Sequence, residues 1–425
     1  MKKRLLISFF IIITLFTLTV NADDFFADGK NIYSDHVYMV NTDTGKVVYE
    51  LDSEVLTYPA SLTKVMTCIL AIEHCESLDE IVTMPSGIFD DVYAGGGVNM
   101  KLKTGEEVTV GDLIRATMIR STCDTANALA WYVSGSIEAF AEKMNAKAIE
   151  IGATNTHFVN AHGLHNDNHY STAKDMYLIA EYALKNQTFC DIIKEYSCTI
   201  PATNKSEERV LNTTIEIEDP ENPLYYPYVT GVKSGFTDEA GRCLITKATK
   251  NGETYLLVTL GANRDRYYEG NMAFTDAITL FEYHFAQYSI KTVLNNTDVL
   301  GMAKVSEGKT EEIGVKAKNS IDTLIALDDS PVVTLNIDEK LTAPIAVGEK
   351  VGTVTVQVGD DVFTETLIAV EAVEKKSKTK TFTELNDGNT AATVMDILSI
   401  TLTATAVIIL VIFLIRVSKR KKSKK

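Results

Sequence analysis

A chain of 425 residues with 45% hydrophobic and 8% aromatic content carries enough apolar material for one large core and a second domain, which excludes a globally disordered protein. Its net charge of −16, from 41 Lys and Arg against 57 Asp and Glu, provides no basic field for a polyphosphate, so nucleic acid is excluded as a partner. Many of the cations sit at the two ends, in Lys2-Lys3-Arg4 and in a basic tail from Arg416 to Lys425, which leaves the stretch between them more acidic still.

In chain order, Lys2-Lys3-Arg4, the apolar segment 5–20 and Val-Asn-Ala ending at Ala22 form an export signal, with cleavage expected after Ala22. A hairpin follows, made of 37–40, the turn Asp43-Thr44-Gly45 and 46–51. Pro59 suits the entry to a helix whose apolar run is 65–72. That entry puts Ser61 in or near the first turn, where free backbone N–H groups and the positive dipole end favour a developing oxyanion. Ser61 and Lys64, at i and i+3, share a helix face. A serine hydroxyl needs a nearby base to become a nucleophile, and a lysine becomes that base when burial or a neighbouring cation disfavours its proton. The same Ser-x-x-Lys spacing recurs at Ser171/Lys174, Ser306/Lys309, Ser377/Lys380 and Ser418/Lys421. Its setting at a helix start beside an apolar run, together with partners found later in the chain, distinguishes Ser61.

After the flexible Gly95-Gly96-Gly97, helices are expected at 110–120, 125–133, 137–151 and 178–184. Ser121-Thr122-Cys123 lies between the first two. Ser121 is a candidate proton relay between Lys64, Lys233 and a leaving group, and equally a helix N-cap. The stretch 211–227, with Pro220, Pro223 and Pro227, reads as irregular. A strand at 228–233 ends in Gly231-Val232-Lys233-Ser234-Gly235-Phe236-Thr237. There, a cation and a hydroxyl can hold a carboxylate, Gly235 lets backbone approach a ligand, and the next N–H can complete an oxyanion hole. Asn251-Gly252 joins 243–249 to 254–261 in the clearest hairpin of the chain, and a helix at 273–285 closes the region. Antiparallel strands from both ends with helices between them predict one sheet covered by helices, an α/β (α+β) fold.

From 290 to 370 the sequence turns to short strands, such as 332–337, 350–358 and 363–370, expected to form a small all-β domain without a catalytic cluster. A polar Lys-, Thr- and Glu-rich stalk leads to 397–415, whose length approaches the ~30 Å hydrocarbon thickness. The basic tail that follows predicts a C-terminal transmembrane helix with its end in the cytoplasm and everything before it outside. The expected order is a signal at 1–22, a catalytic domain at 23–288, a β-rich domain at 289–370, a stalk at 371–393, a span at 394–415 and a tail at 416–425.

These residues resemble a family, the serine D-alanyl-D-alanine carboxypeptidases or low-molecular-mass penicillin-binding proteins of bacteria. The likeness covers about 23–285. It rests on Pro59-Ala60-Ser61-Leu62-Thr63-Lys64-Val65-Met66-Thr67, on His162-Gly163-Leu164 with His169-Tyr170-Ser171-Thr172-Ala173-Lys174-Asp175, and on Gly231-Val232-Lys233-Ser234-Gly235 with Ala240-Gly241. The resemblance implies a β-lactamase/transpeptidase-like domain, a small β-rich C-terminal domain and a C-terminal membrane anchor. It implies a peptidoglycan pentapeptide as substrate, β-lactam antibiotics as covalent inhibitors, and no cofactor. Ser61 would attack the bond between two D-alanines, Lys64 would take its proton, and Ser121 would pass a proton to the departing D-alanine. Lys233 and Ser234 would bind the terminal carboxylate, the N–H groups of Ser61 and Phe236 would hold the oxyanion, and Arg266, with Arg264 as second choice, would add carboxylate binding. Gly235 and Thr237 would line the substrate strand. Two positions depart from the family pattern: Cys123 stands where Asn is usual, which weakens substrate-amide binding because a thiol is a poor acceptor, and Ser234 stands where Thr is usual, which keeps the hydroxyl.

Three other readings remain. His157, His162, His165 and His169 with Asp167 could form a zinc peptidase site, although Gly163 and the loop-like sequence do not make a helix-face ligand pair. A β-lactamase would share Ser61, Lys64 and Lys233 but gains nothing from a stalk and a span. A catalytically weak or inactive wall-binding homologue is motivated by Cys123. The six cysteines allow 15 full pairings; Cys190 with Cys198 is the first to examine, and unpaired buried thiols are an equal alternative.

Overall fold

The computed structural model describes residues 32–262, 270–377 and 390–422, so the expected signal, Arg264 and Arg266 lie outside the described residues. Alternating apolar positions in β1 (His36–Asn41) and β2 (Lys46–Leu51) form the expected hairpin. A 3-10 turn, Ala60–Thr63, leads into helix α1 (Lys64–His74). Ser61 therefore lies in the 3-10 turn immediately ahead of the helix, near its first turn as expected. The cause is local: Ala60 adopts a left-handed φ of +48°, a conformation that costs a non-glycine residue about 1–2 kcal/mol and breaks the α-helical path immediately before Ser61.

The chain continues through β3 (Ile81–Thr83), α2 (Asp90–Ala94), β4 (Glu107–Thr109), α3 (Val110–Ile119), α4 (Cys123–Ser134), α5 (Ile137–Glu150), α6 (Ala173–Leu184) and α7 (Gln187–Ile192). Helix α6 begins before the expected 178 because Thr172 caps it, its hydroxyl accepting from Asp175 N at 3.0 Å. Ser121 is not the cap of α4. Thr122 holds that position, and Ser121 precedes it with a φ of +65°. The stretch expected to be irregular from 211 instead opens with a short ladder, β5 (Ser197–Ile200) on β6 (Arg209–Asn212), and a 3-10 turn at Glu216–Glu218.

Strands β7 (Val229–Thr237), β8 (Gly241–Lys250) and β9 (Glu253–Ala262) complete an antiparallel sheet of order β2-β1-β9-β8-β7. Strand β7 runs through Lys233-Ser234-Gly235 to Thr237, so this motif lies within the strand and not at its end, on the sheet's edge. Every residue of β1 is buried, as expected of a central strand covered on both faces. Tyr38 and Val40, with Leu256, Val258 and Leu260, face a core built from α1 and α3–α6. Val37, Met39, Leu244 and Leu257 face helix α8 (Met272–Gln287), through Phe274, Ala277, Leu280 and Phe281.

The chain divides into two compact units, the first running through Val293 and including Ile321–Ser330. It also holds the short pair β10 (Tyr288–Leu294) and β13 (Ile321–Ala326). Within the second unit, β11 (Gly301–Ser306), β12 (Glu312–Ala317), β14 (Val332–Ile337), β15 (Leu341–Thr342), β16 (Lys350–Val358) and β17 (Asp361–Ala369) form a six-stranded sheet of order β14-β16-β17-β12-β11-β15. Within this sheet β11 pairs with β15 in parallel, and the β11–β12, β12–β17, β14–β16 and β16–β17 pairings are antiparallel. Helix α9 spans Thr390–Lys422. Among the described residues no helix is long and apolar enough to cross a membrane; the expected span runs past Ile412, the last residue of α9 whose side chain is described. All six cysteines are free. The Cys190–Cys198 bridge is not formed, and Cys190 Sγ contacts Leu184 O at 3.0 Å.

Candidate active site

Two close backbone approaches build the site. A Cβ at Gly235 would lie 2.9 Å from Ser61 N and 3.2 Å from Ala60 Cβ, so the absent side chain lets the free edge of β7 meet the 3-10 turn. At Gly163, whose φ is +82°, a Cβ would lie 1.8 Å from Ala60 O. Behind the turn, Thr63 Oγ1 donates to Ala60 O at 2.8 Å and contacts His169 Nε2 at 2.8 Å. Val159 N donates to His169 Nδ1, which fixes the tautomer with its proton on Nε2. Burial pushes His169 down to about 3, so it stays a neutral strut for the strained Ala60.

Lys64 Nζ lies 2.9 Å from Ser61 Oγ, 2.7 Å from His162 O and 3.6 Å from Cys123 Sγ. These three contacts fix the position of the amine, with Nζ directed at the Ser61 hydroxyl, the His162 carbonyl and the Cys123 thiol. His162 is held in turn by Asp91, at 3.2 Å from Nε2, and by Leu164 N, which donates to Nδ1. Burial lowers the His162 pKa in spite of the Asp91 carboxylate.

Lys233 is fully buried, as Lys64 is. Its Nζ donates to Ser234 O at 2.9 Å. Burial, reinforced by the neighbouring charge of Lys64, drives the Lys233 pKa well below the usual lysine range. The Lys233 amine is therefore disfavoured as a cation in the folded protein.

A cleft of about 710 Å³ opens on this apparatus, with Ser61, Ser121, Cys123, Ser234, Gly235, Phe236 and Thr237 all in its lining. Its opposite wall, Gly95 to Val98, is pinned by α4. Met100 N and Leu102 N donate to the buried Asp124 carboxylate, Cys123 N donates to Val98 O, and a Cβ at Gly97 would lie 2.7 Å from Cys123 Sγ. The structure thus gathers Ser61, Lys64, Ser121, Cys123 and residues 233–237 of the sequence reading, and leaves Arg266 outside the described residues.

Sequence reasoning missed Arg242, which stands directly across from Phe236 in the sheet with its guanidinium 4.4 Å from the ring centre, and Thr214, which accepts from Ser234 Oγ at 2.8 Å. The two-residue period of β8, counted from the Asn251-Gly252 turn, could have found Arg242; Thr214 sits in a stretch without any periodic signal. The four histidines of the metal reading have separate partners: Asn168 O for His157, Asp91 for His162, Asp167 and Glu239 for His165, and Thr63 for His169. Among the described residues no group of three potential ligand side chains is placed to hold an ion.

Comparison with known proteins agrees with this geometry. The family model described as D-alanyl-D-alanine carboxypeptidase matches residues 23–264, and that described as Penicillin-binding protein 5, C-terminal domain, matches 288–375. The chain is 32% identical over 400 residues to the D-alanyl-D-alanine carboxypeptidase DacF of Bacillus subtilis, covering 91% of this chain and 98% of that one. It is 30% identical over 346 residues to DacC of Escherichia coli, covering 78% and 82%. The solved D-alanyl-D-alanine carboxypeptidase DacD of Francisella tularensis shares the fold, with a TM-score of 0.62 and 22% identity over 81% of this chain and 94% of that one.

The buried Lys233 generates a stability prediction. The unfolded chain keeps this proton up to about the ordinary lysine value of 10.5, while the folded state disfavours it. The unfolded state therefore binds more protons below that pH, and stability rises with pH through that window. Lys233→Met should melt at a higher temperature than wild type at pH 7, with the gap closing as pH approaches 10.5. A lower melting temperature at pH 7, or a gap that ignores pH, would contradict the assigned burial cost.

Proposed function

The chain belongs to the D-alanyl-D-alanine carboxypeptidase family, and from that premise we propose that it removes the C-terminal D-alanine from peptidoglycan stem pentapeptides through an acyl-enzyme at Ser61. The observation that carries this reading is the 2.9 Å contact between Lys64 Nζ and Ser61 Oγ at the mouth of the cleft bordered by β7. Lys64 takes the Ser61 proton as Oγ bonds to the penultimate carbonyl carbon. The N–H groups of Ser61 and Phe236 receive the charge that develops on the carbonyl oxygen. As the C–N bond breaks, Ser121 relays the proton to the departing D-alanine amine. Water then cleaves the ester, releasing the shortened peptide and restoring Ser61. A β-lactam enters by the same attack, but its amine stays tethered in the acyl product, so the chain is a penicillin-binding enzyme.

Lys233 and Ser234 belong to the carboxylate end of the substrate, and Thr237 and Gly235 to the strand against which the peptide lies. Cys123 occupies the position where the family usually has an amide, which reduces hydrogen bonding to the substrate and tunes turnover downward without touching the nucleophile.

Ser61→Ala should reduce D-alanine release from a synthetic pentapeptide to background while the melting temperature stays near wild type. Persistent release by a correctly folded Ser61→Ala enzyme would exclude this mechanism.

We also propose that α9 anchors the enzyme in the cell membrane, with the catalytic unit outside and the basic tail in the cytoplasm. Support comes from the apolar side chains exposed from Ile397 to Ile412 and from the cations that follow them in sequence. Truncation before residue 394 should move the protein from the membrane fraction to the soluble fraction, and a full-length chain that is already soluble without detergent would contradict the anchor.

A further inference from the structure

The cleft has a neighbour. A second cavity of about 520 Å³ adjoins the wall from Gly95 to Val98, and Lys101 and Lys103 line it together with Tyr93 and Asn99. Gly97 lines both spaces. The order of the groups assigned along β7 gives the direction in which a bound peptide reaches this point. Lys233 and Ser234 belong to the carboxylate end and the Phe236 N–H to the scissile carbonyl, so the substrate residues upstream of that bond continue past Thr237. Cys123, the position assigned to the substrate amide, faces them, and Gly97 packs on it closely enough that a Cβ there would lie 2.7 Å from Sγ. The upstream peptide therefore leaves the cleft beside Gly97, where the second cavity begins.

Lys101 is held over that cavity at a conformational cost. Its φ is +60°, in the left-handed region that a residue with a Cβ avoids. The buried Asp124 carboxylate fixes it there, accepting from Met100 N at 2.9 Å and from Leu102 N at 3.0 Å on either side. Tyr93 OH donates to Leu102 O at 2.7 Å, and Asn99 Nδ2 donates to Gly97 O at 2.7 Å, so the lining is tied to its own backbone. Lys103 Nζ donates to Lys205 O at 2.8 Å. Among the described residues neither ammonium group is paired with a carboxylate, although the chain as a whole carries −16. On the β7 side, by contrast, the cleft lining past Phe236 holds Asp238 and Glu239. An anion carried by the upstream peptide is repelled from that side and attracted to the lysines.

We propose that Lys101 and Lys103 form an anion subsite for a carboxylate of the stem peptide upstream of the scissile bond, so that the enzyme selects peptides by the charge of a residue it does not cleave. Binding energy from this remote group helps to seat the reacting carbonyl against Ser61. The assignment rests on the carboxypeptidase reading above and adds to it the chemistry of the upstream substrate.

The test measures D-alanine release by the purified full-length enzyme from two stem pentapeptides, identical except that the second residue bears a free carboxylate in one and a carboxamide in the other. Wild type should favour the acid by about 3- to 10-fold in kcat/KM, mostly through KM, the size expected of two exposed cations. Added salt should shrink the preference. Lys101→Gly, which suits the left-handed backbone, should move the acid-to-amide ratio most of the way to one. The double variant Lys101→Gly/Lys103→Gln should abolish the preference, and Lys101→Glu should reverse it. A variant with a merely distorted cleft would slow both peptides and leave their ratio unchanged. Equal turnover of the two peptides by wild type, or a ratio that survives in the double variant, overturns the subsite while leaving the carboxypeptidase reading intact. A wild type that releases D-alanine from neither peptide overturns both.

Discussion

The site depends on backbone meeting backbone where side chains are missing. The free edge of β7 can reach the Ser61 turn only because position 235 has no Cβ, and the loop at 162–164 can fold under the same turn only because position 163 has none. Between these contacts Ala60 is held in a left-handed conformation, with Thr63 and His169 tying down its carbonyl. Strain of this kind persists only where the surroundings over-determine it. Here it turns the Ser61 hydroxyl out of the helix path and into the cleft while Lys64, at the true helix start, remains beneath it. The hairpin sheet and the helical core serve this meeting point by holding β7 and α1 in place.

Electrostatics then completes what packing begins. Among the described residues Lys64 and Lys233 are buried without a carboxylate partner, and this costs stability because burial and the neighbouring Lys64 charge both disfavour the charge on Lys233. The benefit is a lysine amine held 2.9 Å from the Ser61 hydroxyl. The carbonyl of His162 takes one Lys64 proton donor, and Asp91 on α2 fixes the His162 ring. The catalytic amine is thus oriented through a loop, a histidine and a carboxylate, each contributed by a different segment of the chain.

Much of this was legible in the sequence. The 3.6-residue spacing of apolar residues located α1 and α3–α5, and Asn251-Gly252 located the β8–β9 hairpin. Ser61, Lys64, Ser121 and residues 233–237 followed from their chemistry and from the family resemblance. What sequence spacing could not give was set by tertiary contact. Ala60 is left-handed and its carbonyl packs against Gly163, distant in sequence, so Ser61 sits in a 3-10 turn near the start of the α-helix, a detail that spacing alone does not specify. Strand β7 continues through Lys-Ser-Gly because β8 pairs with it, although glycine usually weakens a strand. Helix α6 starts at a threonine cap hidden in a polar stretch. Arg242 acquires its place from the cross-strand partner Phe236, a pairing that depends on the turn at 238–240.

The central claim is that Ser61 is the activated nucleophile and that Lys64 beside it makes it so. Its most direct test is peptide-resolved mass spectrometry of the full-length protein after exposure to a penicillin, with Lys64→Met in parallel. The account predicts a long-lived adduct of one intact penicillin on the peptide containing Ser61, and its loss in Lys64→Met despite a folded protein. An adduct on any other residue, or undiminished labelling without Lys64, would contradict it.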